Sequence, residues 1–159
     1  LRPTWFMQNF SEGQLLASIR DRGTIAPASQ TGRVGFVGAE DIAAVAVEAL
    51  SQPQFASGDM ILTGPAPLSY DDVAETLSEV VGSPIRHLHQ SEAEIVERHM
   101  AAGLPKAYAT TLAAMDTSIA GGAEDRGTDA AARVTGRAPR SLSDFATASR
   151  AVWNKRVTA

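Results

Sequence analysis

Short apolar runs alternate with helical stripes along most of this chain, and there are too few of them to make a whole sheet. Runs at 33–37, 60–63 and 85–90 read as strands, and each is followed by apolar residues at helical spacing. That order predicts an α/β architecture with a mainly parallel sheet for residues 1–90 and a helical remainder. A parallel sheet is covered on both faces and an ordinary sheet has about five or six strands. Three short strands therefore predict part of a larger sheet.

The helices carry their own punctuation. Leu15, Leu16 and Ile19 share one stripe, closed by Gly23. Asp41 is the expected N-cap of a helix bearing Ile42, Val45, Ala46 and Leu50. Ser69 with Asp72, and Ser91 with Glu94, have capping-box spacing. The first opens a stripe of Tyr70, Val73, Leu77, Val80 and Val81 ending at Gly82, and the second a helix with Ile95, Val96, His99 and Met100. A further helix carries Tyr108, Leu112, Met115 and Ile119 up to Gly121, with Tyr108 expected on its core face. After a polar connection, Ser141 and Asp144 cap a last helix with Phe145, Ala148 and Val152 or Trp153.

Composition narrows the class. With 159 residues, 44% of them hydrophobic and 20% charged, the chain has material for one core, which excludes a disordered or coiled-coil protein. The longest apolar stretch, 42–50, is broken by Glu48 and is about half a membrane span, so no membrane partner is expected. There is no charged-then-apolar leader, and no cysteine to build a disulfide or thiolate site; the expected compartment is the cytoplasm. Net charge is −4, made of −9 over residues 1–125 (7 basic, 16 acidic) and +5 over 126–159 (7 basic, 2 acidic). The acidic body argues against a nucleic-acid partner. The basic tail (Arg126, Arg133, Arg137, Arg140, Arg150, Lys155, Arg156) has no run of adjacent charges and reads as a solvated face or one paired with the acidic body.

Each motif that suggests chemistry has a structural explanation beside it. Gly32, Gly35 and Gly38 have the spacing of a phosphate-binding turn, but such a turn follows a buried strand. Here Val34, Phe36 and Val37 lie inside the motif, so it reads as the strand itself; Asp59, at a plausible distance for a ribose acid, precedes the next apolar run rather than ending it. A tyrosine acting as general acid needs a lysine four places on, and Tyr70 and Tyr108 are followed there by Ala74 and Leu112. His87 and His89 share one strand face, which suggests chelation, yet neither His99 nor Glu92, Glu94 or Glu97 stands at a telling spacing, and no metal site is expected. Asp71 and Asp72 read as first-turn acids of a helix. No G-x-S-x-G elbow is present, so hydrolase chemistry lacks support.

Four blocks, LRPTWFMQNF, GRVGFVGAEDIAAVAVEAL, ILTGPAPLSYDDVAETLSEVVGSPIRHLH and VTGRAPRSLSDFA, resemble in order and spacing the C-terminal half of NmrA-like proteins. These are atypical short-chain dehydrogenase/reductases that include NAD(P)H-dependent quinone, azo-dye and triphenylmethane reductases and redox-sensing regulators. The resemblance implies the C-terminal part of a Rossmann-like fold: residues 1–66 as its last strands and helices, 67–159 as a smaller, mostly helical substrate-side lobe, together a single partial domain. It implies NADP or NAD as cofactor of the complete family member, held mainly by a glycine-rich N-terminal half, and no cofactor bound by this chain alone. Pro3 and Thr4 match the segment beside the cofactor, and Trp5, Phe6 and Asn9 the substrate side of the cleft; no catalytic residue is implied.

Two functions follow as expectations. One is the substrate-side part of an NAD(P)-dependent oxidoreductase acting on a small molecule, inactive alone. The other is a freestanding, truncated, non-catalytic interaction or regulatory module, in which an uncovered sheet edge and apolar face give a homo-oligomer.

Overall fold

The computed structural model describes residues 1–154 except Gln14 and Ala56. The strands are β1 (Arg2–Pro3), β2 (Thr24–Ile25), β3 (Arg33–Val34), β4 (Ile61–Leu62), β5 (Leu68–Ser69) and β6 (Arg86–His87). The helices are α1 (Leu15–Arg22), α2 (Ala39–Ser51), α3 (Tyr70–Val81), α4 (Glu92–Ala101), α5 (Lys106–Ala120), α6 (Ala130–Thr135) and α7 (Leu142–Ser149), with 3-10 turns at Met7–Phe10 and Arg150–Trp153. The α/β reading holds. Among the described residues no helix is long and apolar enough to cross a membrane.

Strand pairing is parallel for β1 with β4 and for β2 with β6, and antiparallel for β3 with β5. The segment after β1 lies between two neighbours. The N–H groups of Arg2 and Thr4 donate to the carbonyls of Met60 and Leu62 on one side. On the other side, Val37 N–H donates to Trp5 and Met7 N–H to Val37. This alternation places Trp5 and Phe6 at the centre of the parallel part, where the chain leaves the sheet for the Met7–Phe10 turn.

The main core gathers Phe10, Phe36 and Tyr70 edge to face, with centroids 5.2, 5.4 and 6.1 Å apart. Trp153 closes it from the C-terminal side by donating its indole N–H to the Phe10 carbonyl at 2.8 Å. Two glycines are forced by close approach. A Cβ on Gly64 would stand 2.0 Å from the Phe36 carbonyl oxygen, and one on Gly32 2.1 Å from that of Ile119.

Local signals were realised where capping is purely local. Ser69–Asp72 and Ser91–Glu94 are reciprocal capping boxes, Ser141 caps α7, and Gly82 ends α3 in the left-handed region at φ 77°. Other expectations are corrected. Gly38, not Asp41, precedes α2; Asp41 is buried in the first turn, where it accepts from the Arg137 guanidinium at 2.9 Å and the Arg140 N–H at 2.8 Å. Part of the basic tail is therefore paired with the acidic body, Arg140 also reaching Glu40. Lys155 and Arg156 lie outside the described residues. Tyr108 is exposed, because α5 buries Ala109, Ala113 and Ile119 instead; Leu50 on α2 is also exposed. The supposed polar connection contains α6, whose Ala130 and Ala131 pack on Val45 and Leu62.

Candidate functional site

Pro3, Thr4, Trp5, Phe6 and Asn9 all line one open cleft of about 460 Å³, together with Arg2, Ile61, Met115, Glu124 and Arg126. Their chemical availability differs. Thr4 has no donor left to offer, since its N–H goes to Leu62 and its hydroxyl is used inward on the carbonyls of Gly35 and Leu62. Pro3 brings no N–H at all. Phe6 is exposed, Trp5 leans against the core, and the Asn9 carboxamide makes no hydrogen bond to another described residue. Both nearby arginines are engaged, Arg2 with Asp59 at 2.9 Å and Arg126 with Glu124 at 3.1 Å.

Trp5 and Asn9 also line a second cavity of about 360 Å³, with Leu15, Pro27, Tyr70, Leu112 and a set of titratable groups: Arg98 and His99 from α4, Asp116 from α5. The packing of α4 on α5 brings these together. Burial holds the Asp116 carboxyl above the usual carboxylate range, although it accepts the Ala28 N–H at 3.0 Å. Burial, and then the charge of Arg98, push the His99 imidazole below its ordinary value. Burial, reinforced by the charge of Asp116, raises the Tyr70 phenol far above its ordinary value. Around neutrality Tyr70 is therefore a neutral donor and His99 a neutral imidazole. The sequence did contain a signal for Asp116, an acid at helical spacing between Leu112 and Ile119 on the inward side of α5.

The glycine motif behaves as a strand. Gly32 and Gly35 are wedged against the backbone of Ile119 and Arg126. The Ala39 N–H at the start of α2 is already bonded to the Gln8 side-chain carbonyl at 3.0 Å. His87 and His89 share a face with ring centroids 4.3 Å apart. His87 is buried rather than part of an exposed face, and Asp71, read from sequence only as a helix-start acid, stands beside both rings.

Residues 1–145 match the NmrA-like family. The chain belongs to that family. Relatives of this NmrA-like chain include the uncharacterized oxidoreductase YesF of Bacillus subtilis (strain 168), 45% identical over 153 residues. Agroclavine dehydrogenase of Claviceps fusiformis is 39% identical over 155 residues. Each alignment covers 96% of this chain and 54% of the relative, so the NmrA-like chain spans about half the length of the curated relatives it matches. Among solved structures it is similar to an Escherichia coli NADPH-dependent quinone oxidoreductase complexed with NADPH, with TM-score 0.81 and 20% identity over 92% of this chain and 51% of the other. A Citrobacter triphenylmethane reductase complexed with NADP(H) gives TM-score 0.76 and 24% identity over 93% and 51%. At these identities the likeness establishes the fold.

Proposed function

We propose that this chain supplies the substrate-side half of an NAD(P)H-dependent reductase site and is inactive alone. The observation that carries the reading is the meeting of the two cavities at Trp5 and Asn9. One is an open cleft of mixed lining in which Trp5 and Phe6 offer aromatic faces to a planar ring. The other is walled by groups whose protonation is set by burial.

The residues present fit the nicotinamide end of a dinucleotide and not its phosphates. Trp5 and Phe6 form an apolar wall, and Asn9 keeps an unbonded carboxamide. For phosphate, the cleft has little to offer: Thr4 has no donor left, and Arg2 and Arg126 are paired with carboxylates. The grip on the pyrophosphate therefore comes from outside these residues. When bound, a reduced nicotinamide supplies the hydride, and the protein's part is to orient the partners and exclude water. The substrate is a small, planar electrophile resting on Trp5 with its polar end toward the second cavity. There Tyr70 holds a proton at its phenol oxygen, and Asp116 and His99 complete the polar lining.

Calorimetry and amide-shift mapping test this. The chain is expected to bind a naphthoquinone or azo dye weakly, with shifts centred on Trp5, Asn9 and Asp116 that Trp5→Ala abolishes, and to show no binding of NADPH. Micromolar NADPH binding by the isolated chain, or quinone shifts elsewhere, would defeat the reading.

A second reading, a non-catalytic module working as a homo-oligomer, is favoured by the outer face of α2, where Val47 is 62% and Leu50 89% exposed. It predicts a dimer or larger species in sedimentation at micromolar concentration, and a monodisperse monomer counts against it.

A further inference from the structure

We infer that Asp71, His87 and His89 form a binding site for a divalent transition-metal ion of the zinc type. The three residues come from two elements that the core brings together. Asp71 lies in the first turn of α3, while His87 ends β6 and His89 follows two residues later on the same face. The His87 Nδ1 stands 3.3 Å from one Asp71 carboxylate oxygen, and the His89 Nε2 3.8 Å from the other. One ligand atom from each residue can be chosen so that all lie within 4.8 Å of one another. Ligands about 2.0–2.1 Å from a common tetrahedral ion stand roughly 3.4 Å apart. The arrangement needs only a small contraction to take one.

The second observation is the state of His87. Its side chain is fully buried, and neither ring nitrogen has a hydrogen-bond partner. Asp71 and the Pro27 carbonyl are polar groups that face the ring, and neither meets hydrogen-bond geometry with it. Buried polar side chains are nearly always satisfied, and a ring nitrogen aimed at a carboxylate without bonding it is what a ligand position looks like. Asp71 and His89 are each about half exposed, which leaves a path for the ion and room for water as a fourth ligand.

The chemistry of the set selects the ion. Two imidazoles and one carboxylate suit zinc and its neighbours, whereas calcium and magnesium require a mainly oxygen shell. The positive end of α3 opposes a cation here, and the Asp71 carboxylate stands between the two. Tyr70 packs on His87 at 5.8 Å between ring centroids and also lines the second cavity. An ion would thus pin β6 to the start of α3 directly behind that wall, a structural role independent of the proposed reductase reading.

The test is titration of zinc into the chelator-treated chain, followed by calorimetry and thermal unfolding, with cobalt as a spectroscopic substitute. The expected result is one ion per chain with micromolar affinity, a raised Tm, and a cobalt absorption band typical of tetrahedral nitrogen and oxygen ligation. Asp71→Asn and His89→Ala, both at half-exposed positions, are expected to weaken binding at least tenfold, while Glu75→Gln on the exposed side of α3 leaves it unchanged. No heat and no Tm rise at about 100 μM zinc, where a micromolar site would be saturated, would overturn the inference, leaving only a polar contact between Asp71 and the imidazoles. Binding that survives both substitutions would overturn it equally.

Discussion

The β1–β4 side of the molecule and the α3–α4–α5 side are built on opposite terms. Around β1 and β4, backbone and side-chain donors are used inward: Thr4 on Gly35 and Leu62, Gln8 on Ala39, Asp41 on Arg137 and Arg140. Glycines there sit against carbonyls with no room for a Cβ. Around α3, α4 and α5, titratable groups lie half or fully buried with few partners: Tyr70, His87, His99 and Asp116. The first region is a scaffold that leaves a cleft; the second keeps polar groups in surroundings that shift their proton affinity. Costly, under-satisfied groups are often found where chemistry or binding needs them, and the proposed site draws its titratable lining, Tyr70 and Asp116, from this second region.

The contrast breaks first if the scaffold side tolerates truncation. Phe36→Ala, which empties the middle of the Phe10–Phe36–Tyr70 cluster, is expected to lose about 3–5 kcal/mol in urea unfolding. Asp41→Ala leaves the Arg140 N–H and the Arg137 guanidinium without their acceptor, and a loss of about 1–3 kcal/mol is expected. Arg137→Ala should lose less than Asp41→Ala, because Arg137 is half exposed.

On the other side the sign should reverse. The folded state raises the Asp116 carboxyl above its model-peptide value of 3.8, so the native chain holds that proton more tightly than the unfolded one. Its contribution is fully present below 3.8 and is lost as pH rises through the folded value. Asp116→Asn is therefore expected to stabilise the protein at neutral pH, and a clear destabilisation there would show that the carboxylate is well served by Arg98 and His99.

The smallest effect sharpens the same point. The imidazoles of His87 and His99 are held below 6.5 in the folded state, so their contribution is present above pH 6.5 and lost as pH falls through the folded values. Asp71 opposes this at His87 and Asp116 opposes it at His99. Unfolding free energy should decline from pH 6.5 toward 5, and His87→Phe should flatten that slope while His99→Gln removes the remainder.

What could be read in advance follows the range of the forces involved. Capping boxes at Ser69 and Ser91 involve residues three apart, so the sequence holds both partners within one turn. The strand character of 33–37 and 60–63 was readable because apolar runs are local. Strands β2 and β5 lie in no apolar run longer than themselves and leave no local pattern to detect. The cleft residues Pro3, Thr4, Trp5, Phe6 and Asn9 came from resemblance, and the fold gathers them into one cavity while removing the Thr4 donors from use. Asp116 was missed because its neighbours Ala28, Arg98 and His99 come from other elements.

The α/β class, most of the helical stripes and the caps at Ser69, Ser91 and Ser141 follow from the sequence alone, since periodicity and capping act between near neighbours. Which acid is buried, which histidine is orphaned and which tyrosine faces water did not. Asp41 and Asp71 are both first-turn acids, yet one is sealed under Arg137 and Arg140 while the other stands half exposed between two imidazoles. Only the packing of distant segments decides that difference, because the energy of a buried charge is set by what surrounds it in space.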